Sequence, residues 1–214
     1  MRTAPARFES KNTYALFLIA AALGERDSYT FAHAQRVAAY SRRIALKGEL
    51  GGTELRHITW GGMLHDVGKI GLSDHIFSNK QAALSIEMIG EVQTHPLIGA
   101  QMLRQIKCHP TIFEAVLLHH ERIDGSGYPF GLVDEEIPMS AKIVSVADCF
   151  DAMTTDRPYQ RRKSLAHALV ILDEMAGKSL DAELVKYLIQ DITSNGMEPV
   201  MPKTSVIAPY LRPI

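Results

Sequence analysis

The sequence has almost no net charge: 23 lysines and arginines stand against 24 aspartates and glutamates, leaving −1 at neutral pH. No global basic field therefore draws the chain to polymeric nucleic acid or to an anionic membrane, and any phosphate binding must come from a local device. Cysteine is scarce. Cys108 and Cys149 lie far apart and form no C-x-x-C pair, which excludes a disulfide framework and points to a reducing, cytoplasmic compartment. Long apolar runs are missing as well. Tyr14 to Leu23, preceded by Arg2, Arg7 and Lys11, resembles a secretory leader but is far too short to span a bilayer, and it reads as a buried first helix. There is no internal repeat and no low-complexity block, and strand signals are confined to a short piece near Ile137. What remains is ordinary globular composition, 46% hydrophobic and 22% charged over 214 residues, enough for one domain with a full core.

Helical periods organise that domain. Residues 1–12 read as a lead or linker, 13–195 as the domain, and 196–214 as an irregular tail with Pro199, Pro202, Pro209 and Pro213. After a turn at Asp27–Tyr29, the apolar residues Val37, Tyr40, Ile44 and Ala45 share one face of a helix over Thr30–Lys47, and Gly48–Gly52 stops it. Thr53 opens a helix running towards His65-Asp66. Helical spacing recurs over Ser85–Leu103, Ile112–His119, Ala141–Met153, Ser164–Ala176 and Asp181–Ile192, whereas Asp124–Gly131 is too rich in glycine and proline to be anything but a loop. The fold class is all-α.

Nine histidines stand out, six of them from His65 to His120. The densest motif is His65-Asp66-Val67-Gly68-Lys69. Such a pair joins a nitrogen ligand to a carboxylate, which can touch two cations, one per oxygen, as imidazole cannot. Lys69 lies one helical turn beyond and should point the same way as His65, bringing an ammonium to a substrate phosphate. The alternative is a capped helix end with a solvated lysine. His119-His120 closes another apolar helix, where a fraying turn lets both rings face one ion. His95 precedes Pro96. Asp148 is a carboxylate on a helix whose other residues, Ile143, Val144, Val146 and Ala147 among them, are almost all apolar, costly unless paired or bound to a metal. His33 sits a turn before Val37. Each of these alone is more often structural than functional, since most buried histidines find a hydrogen-bond partner instead.

Taken in order, His33, His65-Asp66, His95, His119-His120 and Asp148 resemble the ligand set of the HD superfamily of metal-dependent phosphohydrolases. The run His119-His120-Glu121-Arg122-Ile123-Asp124-Gly125-Ser126-Gly127-Tyr128-Pro129 is similar, almost letter for letter, to the motif that defines its HD-GYP subgroup. Arg36-Val37, Leu64–Gly71, Ile137-Pro138, Val146–Asp148 and Asp156–Tyr159 extend the likeness from about Leu16 to Asp191. The resemblance implies an HD-domain helical bundle with a dinuclear metal site in its core. One ion would be held by His33, His65, Asp66 and Asp148, the other by His95, His119 and His120, with Asp66 shared. The mixed donor set suits iron or manganese better than a thiolate site suits zinc. It implies in-line hydrolysis of a phosphodiester, with Asp66 and Lys69 in catalytic roles and Lys69, Gly127, Tyr128, Pro129 and Arg157 at the substrate.

The activity implied is a cyclic di-GMP phosphodiesterase yielding linear pGpG, with a second step to GMP left open. Two alternatives stand beside it. One is a non-catalytic adaptor that binds the dinucleotide or docks a GGDEF-domain protein through the Gly125–Pro129 loop; the other is a phosphohydrolase of another nucleotide. Oligomeric state is left open, a homodimer included. Three departures from the family pattern matter. Tyr29 replaces a glutamate associated with a third ion, so two ions are expected. Gln160 replaces a basic residue after Arg157-Pro158-Tyr159, and Asn79–Ala83 replaces a Lys-Pro-Gly turn before the His95 helix. The Gly/Pro loop also has a plain reading as a tight turn, with glycines supplying positive φ.

Overall fold

The computed structural model describes residues 15–16, 18–22, 24–25, 27–78, 84–156 and 161–198. The lead 1–12, the tail from 199, and the departures at 79–83 and 157–160, Arg157 included, lie outside the described residues. The described residues between 15 and 25 are helical, and Leu16 and Ala20, four apart, are buried as the first-helix reading expects.

Among the described residues nine helices follow: α1 (Ser28–Lys47), α2 (Gly52–Leu64), α3 (Asp74–Ser78), α4 (Ile86–Val92), α5 (His95–Gln105), α6 (Pro110–Leu118), α7 (Met139–Thr154), α8 (Leu165–Met175) and α9 (Ala182–Asn195). Their starts are written in the sequence. Asp27 accepts the Tyr29 N–H at 3.0 Å and pulls the start of α1 back to Ser28, two residues before the expected Thr30. Ser85, Ser164 and Asp181 cap α4, α8 and α9 in the same manner. Among the described residues there is no strand, only the isolated bridges Asp124–Val133 and Ala176–Leu180. The strand expected near Ile137 does not form: Asp134–Glu136 turn as a 3-10 helix and Pro138, which has no N–H to give a ladder, stands at the start of α7 instead.

A second expectation also fails, and for a clear reason. The periodic run Ser85–Leu103 is two helices, α4 and α5, with a break at Gln93-Thr94. A continuous helix would need residue 96 to donate to Val92, but residue 96 is proline. The Val92 carbonyl accepts from His95 Nδ1 at 2.6 Å instead. The proline that breaks the helix thus leaves a carbonyl for a histidine to use.

Among the described residues the two largest apolar cores share a wall. One gathers Tyr40, Ile44, Ile58, Val144, Phe150, Leu172 and Leu188; the other gathers Ala34, Ala38, Trp60, Leu64, Leu103, Ile112 and Val116. Helices α1, α2 and α6 contribute to both. The turn between α1 and α2 is short, so they run antiparallel and the start of α1 meets the end of α2. Arg43 anchors the chain after α9, with its guanidinium on the Asp191 carboxylate and on the Gly196 carbonyl at 2.6 Å.

Helix α5 lies closest to the Val67–Gly71 3-10 turn that follows α2. A Cβ on Gly68 would sit 1.9 Å from the His95 carbonyl oxygen and 2.6 Å from the Gly99 nitrogen, both backbone atoms that cannot step aside. Gly68→Ala should therefore lower stability by about 3 kcal/mol, the upper end of overpacking costs. Gly90→Ala, on a helical residue whose Cβ would meet nothing within 4 Å, should instead raise stability by about 0.5–1 kcal/mol. Urea denaturation of the two variants, with opposite shifts in midpoint, checks both.

Candidate metal centre

Five elements bring their side chains to one place. His33 comes from the first turns of α1, His65 and Asp66 from the end of α2, His95 from the start of α5, His119 and His120 from the end of α6, and Asp148 from within α7. His33, His65, Asp66, His95 and His119 are all buried. Every residue the sequence marks as a metal ligand is there.

Asp66 is in the middle. Its Oδ1 lies 3.3 Å from His95 Nε2, while its Oδ2 lies 3.4 Å from His65 Nε2 and 3.6 Å from His33 Nε2. Asp148 Oδ1 completes the second side, 3.2 Å from His33 Nε2. Possible ligand atoms of Asp66, His95, His119 and His120 lie within 4.8 Å of one another, and so do those of His33, His65 and Asp66. Two clusters thus share one carboxylate, one oxygen turned to each.

The histidine protons can be placed. A carbonyl can only accept, so His65 Nδ1 donates to Gly62 O (2.7 Å), His95 Nδ1 to Val92 O (2.6 Å) and His119 Nδ1 to Val116 O (3.0 Å). Each then leaves an Nε2 lone pair facing the centre. His95 and His119 present theirs to each other across 3.3 Å, beside Asp66 Oδ1. Burial holds His95 near a pKa of about 4 and His120 near about 3, and it holds His119 well below the ordinary value, helped by the neighbouring rings. Neutral, lone-pair-bearing nitrogens gathered around a carboxylate fit a divalent cation, which protons would otherwise contest.

His33 behaves differently. Burial works against its charge, yet Asp148, Asp151 and the field of Asp66 outweigh that and raise it to about 9. This side attracts positive charge more strongly. Burial would likewise push Asp66 and Asp148 up, but Lys69 and the imidazoles around Asp66, and His33 beside Asp148, hold both well below the usual carboxylate range.

Lys69 departs from expectation. Its Nζ donates to Asp66 Oδ2 at 2.7 Å and does not follow His65. Residues 67–71 form a 3-10 turn, in which residues three apart eclipse, so Lys69 falls in line with Asp66. It is still partly exposed, at the mouth of the site.

The sequence reading passed over two carboxylates. Asp151, one turn past Asp148 on α7, accepts from His33 Nδ1 at 2.7 Å and is gripped by Arg36 through Nε (2.6 Å) and Nη2 (3.0 Å). A second carboxylate on so apolar a helix was the available signal. Glu121, next to the double histidine, accepts the Phe130 N–H (2.8 Å) and the Leu132 N–H (3.0 Å), folding the Gly/Pro loop back on itself. Gly125 has the positive φ expected of it, +76°, but Gly127 is glycine for another reason: a Cβ there would lie 2.4 Å from the Arg122 nitrogen. Tyr128 lays one ring face on His120 at 4.6 Å, so that face is not free for a base. Pro129 follows it through a cis peptide.

An HD domain model matches residues 18–184. A cyclic di-GMP phosphodiesterase of Pseudomonas aeruginosa is 40% identical over 154 residues, covering 71% of this chain and 36% of that protein. A 3'3'-cGAMP-specific phosphodiesterase of Vibrio cholerae is 32% identical over 158 residues, covering 74% of this chain and 34% of the other. The chain thus spans about a third of the length of these curated relatives. A solved structure described as an HDG"Y"P protein from Bdellovibrio bacteriovorus shares the fold with a TM-score of 0.61 at 24% identity, over 76% of this chain and 52% of that one.

Because Asp151 fixes His33 through its second ring nitrogen, Asp151→Asn should weaken cation binding at the His33 cluster about 10–100-fold while leaving the His95 cluster unchanged. Titration with Mn²⁺ against a chromophoric chelator resolves the two steps; equal weakening of both would contradict the assignment. Glu121→Gln sets an amide against one of two N–H donors and should cost about 1–3 kcal/mol in thermal or urea unfolding.

Proposed function

The chain belongs to the HD domain family, and from that premise we propose that it is a metal-dependent phosphodiesterase of cyclic dinucleotides, cyclic di-GMP foremost. The observation that carries the reading is Asp66, a buried carboxylate with one oxygen turned to each of two histidine clusters. His33, His65, Asp66 and Asp148 would hold one ion, and His95, His119 and His120, with Asp66, the other. Two such ions supply Lewis acidity at a phosphoryl group and a water acidic enough to attack it at neutral pH.

The protein's own share of the work follows from its geometry. Lys69, tied to Asp66 but reaching the mouth of the site, meets a non-bridging phosphate oxygen and offsets the charge that grows there during attack. The buried imidazoles stay unprotonated on the His95 side, so a proton does not compete for the ligand positions. The folded loop through Gly127, Tyr128 and Pro129 borders the substrate, and Arg157 is the proposed further contact. The donor set of imidazoles and carboxylates without thiolate favours iron or manganese over a structural zinc.

Relatives named for cyclic di-GMP and for 3'3'-cGAMP support the substrate class, and the higher identity of the former favours cyclic di-GMP. Neither Cys108 nor Cys149 is in a disulfide, in keeping with a reducing, cytoplasmic setting, and no described helix is long and apolar enough to cross a membrane. One observation favours the second reading, a docking adaptor for a GGDEF-domain protein. Phe130, Val133 and Met139, beside the loop, are 57%, 43% and 49% exposed.

Anaerobic purification with metal analysis, followed by incubation with cyclic di-GMP and chromatography of the products, tests the reading. The expected outcome is about two ions per chain, as a two-metal site requires, with linear pGpG appearing and both lost in Asp66→Ala. A loaded protein that binds the dinucleotide without cleaving it would overturn catalysis and leave the adaptor. Faster turnover of cyclic GMP-AMP in the same assay would reassign the substrate.

A further inference from the structure

The imidazoles of this site are not all held in the same way. His65, His95 and His119 each donate Nδ1–H to a carbonyl, and His33 donates to Asp151. The ring of His120 makes no hydrogen bond among the described residues. It is packed between rings instead: His119 at 4.1 Å and 43°, His95 edge-on at 5.0 Å and 88°, and Tyr128 at 4.6 Å and only 24° from parallel. The other two rings belong to the site itself. Tyr128 alone comes from outside it.

We propose that Tyr128 is the positioning residue of His120, its ring doing for this imidazole what a carbonyl or Asp151 does for the others. The inference rests on His120 being a metal ligand, as the function proposed above requires. A metal ligand whose ring can spin about its bond to Cβ loses binding strength to that freedom, and a hydrogen bond at the far nitrogen is the usual restraint. Near-parallel stacking of two rings at this separation supplies a weaker restraint of the same kind.

The loop is built to deliver that ring. The Tyr128 N–H donates to the His120 carbonyl at 3.2 Å, so the stacked residues are also joined through their backbones. Gly127 makes this possible, because any side chain there would run into Glu121 and Arg122. On the far side, Glu121 takes the Phe130 and Leu132 N–H groups, pinning the loop just past the tyrosine. Tyr128 is thus fixed before and after by residues that adjoin His120 in sequence. Its hydroxyl makes no hydrogen bond among the described residues, so the ring carries the role and the oxygen does not.

That distinction makes the idea testable without an activity assay. Mn²⁺ is titrated into metal-free wild type, Tyr128→Phe, Tyr128→Leu and His120→Ala, with affinities read by chelator competition and folding checked by thermal melts. Tyr128→Leu should weaken one of the two ions about tenfold, the loss expected of a single restraint on one ligand, and Tyr128→Phe should restore wild-type binding. His120→Ala should weaken the same ion further. Phe as weak as Leu would overturn the proposal by giving the role to the hydroxyl. Leu binding like wild type, while His120→Ala is impaired, would overturn it and leave the ligand assignment standing. Wild-type binding by His120→Ala would remove the assignment itself, and the positioning role with it.

Discussion

A carboxylate that is 2% exposed, with an imidazole cluster on each side, is the constraint on which this structure turns. Asp66 cannot be buried alone: an isolated charge in an apolar interior is far too costly, and it persists only when paired or bound to a cation. The fold meets that demand by converging five elements on it. Lys69 reaches Oδ2 because a 3-10 turn replaces the helix at that point. His95 reaches Oδ1 because α5 packs so tightly on that turn that Gly68 has no room for a side chain. The tight packing of α5 and the chemistry of the centre are therefore one requirement seen from two sides.

Helix ends do much of the preparatory work. An α-helix leaves its last four carbonyls without partners. His65, His119 and His95 each lie at or just past such an end, and each returns Nδ1–H to the carbonyl three residues back, on Gly62, Val116 and Val92. One local bond settles two matters. It satisfies a carbonyl that the helix would leave open, and it puts the proton on Nδ1 so that Nε2 is bare. Pro96 makes the third case possible by ending α4's ladder where His95 needs it. Three imidazoles are thus oriented by secondary structure, without any long-range partner.

That local logic explains what could be read from sequence. Helix content, the Gly48 stop, the loop at Asp124–Gly131 and the histidines and aspartates that converge all depend on spacing and on residue types with few alternatives, such as a histidine beside an aspartate. What could not be read depends on backbone geometry or on distant pairing. The direction of Lys69 turns on 3.0 residues per turn where 3.6 was assumed. The role of Gly127 is a close approach to Arg122, which no local pattern announces. Asp151 meets Arg36 and His33 across more than a hundred residues of chain, so its carboxylate on α7 could be noticed but its partners could not.

His33 also shows that the two halves of the centre differ. On its side stand two site carboxylates, Asp66 and Asp148, and behind it a third, Asp151, whose charge Arg36 partly balances. On the other side Asp66 shares a cluster with three imidazoles, and Asp148 reaches His120 only through its field. The titration of the rings follows that difference: His33 rises to about 9 while His95 falls to about 4 and His120 to about 3, although all are largely buried. One half is built to draw in positive charge, and the other offers neutral nitrogens and little field. The half with the weaker field is also the one that contains His120, whose ring packs against other rings and makes no hydrogen bond among the described residues. Charge and rigidity are therefore both concentrated around His33, and the His120 side relies on Asp66 and on the loop folded over it.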